Sequence, residues 1–218
     1  MCNRYRVSWA WREAMQEFSD IRLPLVFPPP ERAPNIEPRD IRPTNTAPVM
    51  RPVDPSNPAG GLEMVELRWD LVPFFHKGPL KAKKYLCTNA RAETVATTNA
   101  FREPYKRRRC LVPASAFYEW TGPKGAKTMW RFTAAGQPLF CFPGLWDHAD
   151  TADGAVESFT LMTCAPGPDM AAFHDRQPVI LRREQWPAWL DLARPADDLL
   201  KADAAGSIEA ARVTGEEG

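Results

Sequence analysis

The chain has 218 residues, 44% hydrophobic and 25% charged, with 28 Lys plus Arg against 27 Asp plus Glu for a formal net charge of +1. That length suits one domain with a substantial core better than two small ones, and near-neutrality confines any nucleic-acid surface to a local patch. No stretch approaches the roughly 20 apolar residues of a membrane span and residues 1–15 lack signal-peptide organisation, so a cytoplasmic protein with no membrane contact is expected.

Residues 8–18 (SWAWREAMQEF) read as a short amphipathic helix with Ser8 as its N-cap. Pro24 to Pro58 holds 11 of the 23 prolines. Proline removes a donor and fixes φ, which disfavours helix and central strand alike, and an extended segment over the domain surface is expected there, ending near the turn at 57–61. Residues 62–72 alternate as a strand does. Further strands are expected at 109–120, 129–134, 138–143, 156–164 and 178–182. Short helical turns are expected over 92–102, and helices over 186–193 and 195–202, each near a proline start. From Asp203 onward the chain is small and polar, so the domain is expected to span 1–200 and a flexible tail 201–218. Strands in the middle with helices at the edges indicate a single α+β domain, a largely antiparallel sheet or barrel-like core with peripheral helices.

The five cysteines, Cys2, Cys87, Cys110, Cys141 and Cys164, are widely spaced and contain no C-x-x-C, and His76, His148 and His174 have no ligand spacing. A disulfide framework, a zinc site or any other metal centre is therefore not expected, nor is a cofactor. Cys2 is the most informative residue. Removal of Met1 leaves a 1,2-aminothiol whose α-amine, with a reference pKa of roughly 8, is partly neutral at pH 7. Such an amine condenses with an aldehyde to an imine, and the adjacent thiol closes a five-membered thiazolidine. Taken alone, Cys2 is as well explained as a small apolar residue at a terminus.

Three further residues are candidate partners. Asn89 lies in CTNARAET, Glu119 in the apolar run CLVPASAFYEW, and His174 in AAFHDRQPVIL. Burial would raise the pKa of Glu119 and suit it to moving protons, and histidine exchanges protons near neutrality. Each has a plain structural alternative: a helix cap for Asn89, a solvated strand position for Glu119, a satisfied structural histidine for His174. An arginine follows three of the four candidates by two residues: Arg4 after Cys2, Arg91 after Asn89 and Arg176 after His174. On a strand that spacing points both side chains the same way, and arginine suits phosphate. Trp69 and Tyr5 offer rings for stacking on unpaired bases. Lys83, Lys84 and residues 106–109 add positive charge, the latter run as a solvated loop.

These residues sit in motifs that resemble the SRAP family (SOS response-associated peptidase domain, the abasic-site-processing proteins). The matching pieces, in family order, are MCNRY, PTNTAPV at 43–49, RWDLVP at 68–73, TNARAET at 88–94, RRCLVPASAFYEW at 108–120, GLW at 144–146, FTLMTCAP at 159–166 and HDRQPVIL at 174–181. The resemblance implies the SRAP fold and recognition of abasic sites in single-stranded DNA; a monomer is expected. It further implies that Cys2 captures the ring-opened sugar as a thiazolidine crosslink that shields the lesion from strand cleavage. It assigns catalysis to Cys2, Asn89, Glu119 and His174, and DNA contacts to Arg4, Asn45, Trp69, Arg91 and Arg176, with Pro43 nearby. The chain departs from the family pattern at Asn3, Asp70 and Gln177; an acid at 70 beside DNA would weaken phosphate contacts. Two rival readings are an N-terminal-cysteine peptidase or autopeptidase, with the α-amine as base, and a non-catalytic single-strand binding protein in which Cys2 is incidental.

Overall fold

Apolar runs decide where the strands fall. The computed structural model describes residues 2–8, 18, 20, 21, 23, 25, 26 and 37–214. Thirteen strands are defined among them: β1 (Tyr5–Val7), β2 (Leu25–Val26), β3 (Arg39–Ile41), β4 (Thr46–Pro52), β5 (Leu62–Trp69), β6 (Asn89–Arg91), β7 (Arg109–Ala114), β8 (Ala116–Thr121), β9 (Thr128–Ala134), β10 (Phe140–Thr151), β11 (Gly154–Cys164), β12 (Gln177–Pro178) and β13 (Ile208–Arg212). Short helices, Arg102–Arg107 and Trp186–Leu190, pack at the periphery.

Five strands close on themselves in the order β4, β5, β11, β10, β7. All contacts in the ring are antiparallel except the closing one, where Ser158 and Phe159 of β11 run parallel to Arg68 and Trp69 of β5. β6 and β12 extend the barrel on β11, and β2 lies on β5. β7 is buried at every residue, as expected of a strand walled on both faces, whereas β5 mixes buried and half-buried positions. A second antiparallel sheet has the order β13-β9-β8-β1-β3. Rings from both sheets meet in one core. Tyr5 of β1 packs edge-on against Trp69 (5.1 Å) and Phe142 (5.8 Å), and Phe117 of β8 stacks on Phe132 (5.0 Å) and meets Phe142 (6.1 Å). Such aromatic pairs add about 0.5–1.5 kcal/mol each beyond their burial.

The barrel-like α+β expectation holds, with corrections in the parts. The single strand expected over 109–120 is two, parted at Ser115, whose N–H bonds the Arg6 carbonyl (2.9 Å); β7 stays in the barrel and β8 crosses to the second sheet. The proline-rich segment is not merely laid over the surface: Thr46–Pro52 is a buried barrel strand. Pro48 and Pro52 have the same parity, so their missing N–H groups fall on one side of the strand. The ladder to β5 runs unbroken from Thr46 to Pro52, while β7 meets β4 only at Met50↔Leu111. Ile208–Arg212, expected in a flexible tail, is a strand paired along β9. The helix expected over 195–202 shrinks to a single 3-10 turn at Asp197–Leu199. The basic run at 106–109 is no solvated loop: Arg108 pairs with Asp147 (3.1 Å), and Arg109 is buried over the rings of Tyr105 and Trp189. The helix expected over 8–18 lies, apart from its two ends, outside the described residues. No helix among the described residues is long and apolar enough to cross a membrane.

Candidate active site at the N-terminus

Four segments distant in sequence converge on the start of the chain. β1 pairs antiparallel with β8 through Tyr5↔Phe117 and Arg6↔Ala116, and the Tyr118 N–H continues the pairing to the Arg4 carbonyl (3.0 Å). That register carries Cys2, just before β1, alongside Glu119 of β8. β6 runs parallel to β11 with Asn89 opposite Leu161, and it aims the Asn89 amide inward. Asn89 Nδ2 donates to the Cys2 carbonyl (3.0 Å) and to Thr88 Oγ1 (3.1 Å). His174 closes the site from the turn that follows β11; its backbone N–H bonds the Met170 carbonyl (3.1 Å), and Phe173 beside it packs edge-on to Trp130 and Phe132.

The electrostatics follow from burial. Cys2 is fully buried, and desolvation, then the nearby negative charge of Glu119, pushes its thiol up to about 12. The thiol is therefore protonated at neutral pH. Burial likewise raises Glu119 above the usual carboxylate range, while the charged chain terminus and His174 pull it back. A carboxyl group whose ionisation is balanced in this way is suited to taking up and releasing a proton. His174 Nδ1 accepts the Arg176 backbone N–H (2.9 Å) and lies 2.8 Å from Asp175 Oδ1.

Cys2, Asn89, Glu119 and His174 are thus brought together. The three arginines diverge. Arg4 is buried, with its guanidinium on Asp40 and over the Tyr118 ring (4.8 Å). Arg176 forms a two-pronged pair with Glu93 (2.6 and 3.0 Å) and bonds the Thr163 carbonyl (2.9 Å). Arg91 is exposed, and its side chain makes no hydrogen bond or ion pair among the described residues. Only the Asn89–Arg91 pair lies on a strand, so the i, i+2 argument applies there alone.

The stacking roles expected of Trp69 and Tyr5 are corrected. Both are fully buried; Trp69 Nε1 donates to the Thr88 carbonyl (2.8 Å), and its ring is stacked on Phe159. Neither ring presents a face to a base. Trp69 instead holds the neighbouring loop through its backbone, which bonds Thr44 (2.7 Å) and Asn45 (2.8 Å). Asn45 is exposed, and its Oδ1 accepts the Arg42 N–H (2.9 Å). Asp70 is not an acid on an open face: it is 1% exposed and paired with Lys83 (2.6 Å). Gln177 is buried with Oε1 on the Gly167 N–H (2.6 Å). Sequence reasoning missed Asp40 and Glu93, which hold two of the arginines, and the exposed rings of Phe74, Phe75 and Tyr85. Those rings lie in residues 71–88, a stretch with no acidic residue, and that gap was a readable signal.

Comparison with known proteins identifies the family and the fold. The family model described as SOS response associated peptidase (SRAP) matches residues 1–216. The abasic site processing protein YoaM of Bacillus subtilis is 30% identical over 204 residues, covering 93% of this chain and 84% of that protein. YobE of the same organism, also named an abasic site processing protein, is 35% identical over 161 residues, 72% of each chain. A solved protein from Bordetella bronchiseptica has the same fold, with a TM-score of 0.76 at 24% identity over 98% of this chain and all of that one. One from Bacteroides thetaiotaomicron gives 0.77 at 20% identity, covering 98% and 93%. By its family match and these relatives, the chain belongs to the SRAP family.

Proposed function

We propose that the protein captures abasic sites in single-stranded DNA through Cys2, once Met1 has left, as a thiazolidine crosslink that protects the lesion. The observation that carries this reading is the Asn89 amide on the Cys2 carbonyl, with Glu119 and His174 close enough to act electrostatically on the same spot. The relatives named abasic site processing proteins support the substrate class.

The chemistry balances without oxidant or cofactor. The opened sugar presents an aldehyde. The Cys2 amine adds to its carbon and water leaves, giving an imine. The thiol sulfur then adds to the imine carbon, forming the C–S bond while the nitrogen gains a proton. The buried thiol starts protonated, and the Glu119 carboxylate is placed to take that proton and pass it to nitrogen. His174 Nδ1 is engaged by the Arg176 N–H, which assigns proton exchange with the sugar oxygen to Nε2. Asn89 fixes the Cys2 carbonyl and so the direction of the amine and thiol. Arg91, exposed beside Asn89, is the guanidinium ready for a phosphate.

The test is a denaturing gel of protein shown by intact mass to start at Cys2, mixed with a single-stranded oligonucleotide bearing one abasic site. A shifted band that survives denaturation and is absent with Cys2→Ala is expected, with non-covalent binding by that variant largely retained. A stable crosslink formed by Cys2→Ala would overturn the mechanism. Peptide turnover without DNA, and no shifted band, would favour the N-terminal-cysteine peptidase.

A further inference from the structure

The second sheet carries a cavity that the capture chemistry does not use. The registers of β1, β8 and β9 set Tyr5 opposite Phe117 and Phe117 opposite Phe132, and all three rings are buried. Side chains alternate along a strand, so Arg6, Tyr118, Arg131 and Thr133 lie on the face turned away from that core. Glu119 has the parity of Phe117, so the sheet stands between this face and that carboxyl. A cavity of about 480 Å³ opens on the outer face, with Arg6, Ser115, Arg131, Thr133, Gln137 and Pro138 in its wall. That is the size of a small-molecule site.

Two polar groups of the wall lack partners. Arg131 is half-buried, and its guanidinium makes no hydrogen bond or ion pair among the described residues, although its Nε is buried. Its cross-strand neighbours are Tyr118 and Ala211, neither of them an acid. Glu209, opposite Thr133, forms no ion pair among the described residues. Arg4 and Arg6 share the Asp40 carboxylate, with Arg6 Nη1 at 3.2 Å, so Asp40 has nothing left for Arg131. Gln137 sits in the turn between β9 and β10, its N–H on the Ala134 carbonyl (3.1 Å), and its Oε1 is buried without a donor. Buried polar atoms are nearly always satisfied. An unpaired cation and an unpaired acceptor in the wall of one cavity suit an anion that also carries a hydrogen-bond donor.

We infer that this cavity binds the carboxylate end of a peptide. The last residue of a peptide bears a carboxylate and an amide N–H on one Cα. Arg131 and Arg6 take the carboxylate, for which the planar guanidinium fork is shaped. Gln137 Oε1 accepts the N–H, and Pro138 lies against the apolar part. A phosphodiester of DNA brings charge but no hydrogen to donate, so it leaves Gln137 unsatisfied. This site stands independently of abasic capture.

The experiment titrates the full chain with N-acetylglycine and follows the Nε–H signal of Arg131 and the side-chain amide of Gln137 by nuclear magnetic resonance. N-acetylglycine moves both signals with a Kd of about 1–20 mM, the scale of a fragment of its size. N-acetylsarcosine, which has no N–H, binds several-fold more weakly. Arg131→Met weakens N-acetylglycine about tenfold or more, as expected for a lost hydrogen bond to a charged group. The acetylated tetrapeptide Ala-Ala-Ala-Gly moves the same signals, and its C-terminal amide does not. A tetrapeptide tighter than N-acetylglycine marks a chain end as the ligand, and equal affinity marks a free acylated amino acid; either keeps the inference. No movement of the signals by these two probes, equal binding of the amidated peptide, or inorganic phosphate binding as tightly as N-acetylglycine overturns it.

Discussion

Glu119 is the residue on which stability and chemistry pull apart. Its folded pKa is raised, first by burial, so the native state keeps a proton that the unfolded chain gives up. Its contribution to stability is complete below the ordinary carboxylate pKa and is lost as pH rises through the folded value. Glu119→Gln is therefore expected to flatten the fall in melting temperature between pH 4.5 and 8, and to slow crosslinking about 100-fold, the scale of a lost proton shuttle. Melting curves across pH and single-turnover gels check the two halves, and an unchanged pH profile would show that Glu119 titrates normally. Cys2, Asn89, Glu119 and His174, which the fold brings together, were legible as candidates because each sits inside a distinctive motif. The partners of Arg4 and Arg176 were not. Asp40 and Glu93 lie 36 and 83 residues away from them along the chain, and nothing local announces such pairs. Trp69 misled because aromatic identity says nothing about which way a strand's last residue faces.

The elements that were misread were those whose stabilisation comes from elsewhere. β13 buries only Ile208, so it shows no alternation to detect. Its start is pinned by Asp169, whose carboxylate accepts the N–H groups of Gly206 (2.9 Å), Ser207 (3.0 Å) and Ile208 (3.0 Å). Asp169→Ala leaves those donors to water and frees the strand from β9. A loss of about 1–2 kcal/mol is expected, by analogy with a removed cap, or a melting temperature lower by about 2–8 °C. Hydrogen exchange should then be faster at 208–212 than elsewhere; uniform protection there would mean that β9 pairing alone holds the strand. β4 was hidden by its prolines, although antiparallel pairing needs donors only at alternate residues on each side. β5, β9 and β11 were legible because their apolar patterns are their own. β7 and β8 were legible as strand but not as two, since the break at Ser115 is set by the Arg6 carbonyl and not by any turn residue.

Over the whole molecule, the barrel closes tightly around Gly144. A Cβ there would lie 2.8 Å from Val112 Cγ2, 2.9 Å from Cys110 Sγ and 3.2 Å from the Thr160 carbonyl. Those atoms belong to the two strands that flank β10 in the ring, so neither side can give way without opening the barrel. Gly144→Ala is expected to cost about 1–3 kcal/mol through overpacking, lowering the melting temperature by about 2–12 °C; an unchanged value would mean that the ring is slacker than its distances indicate. The site lies where this ring meets the second sheet, and its walls are supplied late. Cys2 is synthesised 172 residues ahead of His174, a lag of roughly 9–34 s at ribosomal rates of about 5–20 residues per second. During that interval the terminus lacks the walls that Glu119 and His174 later supply. The proposed capture requires Met1 to leave, and the interval of synthesis is one window in which the terminus is open to trimming.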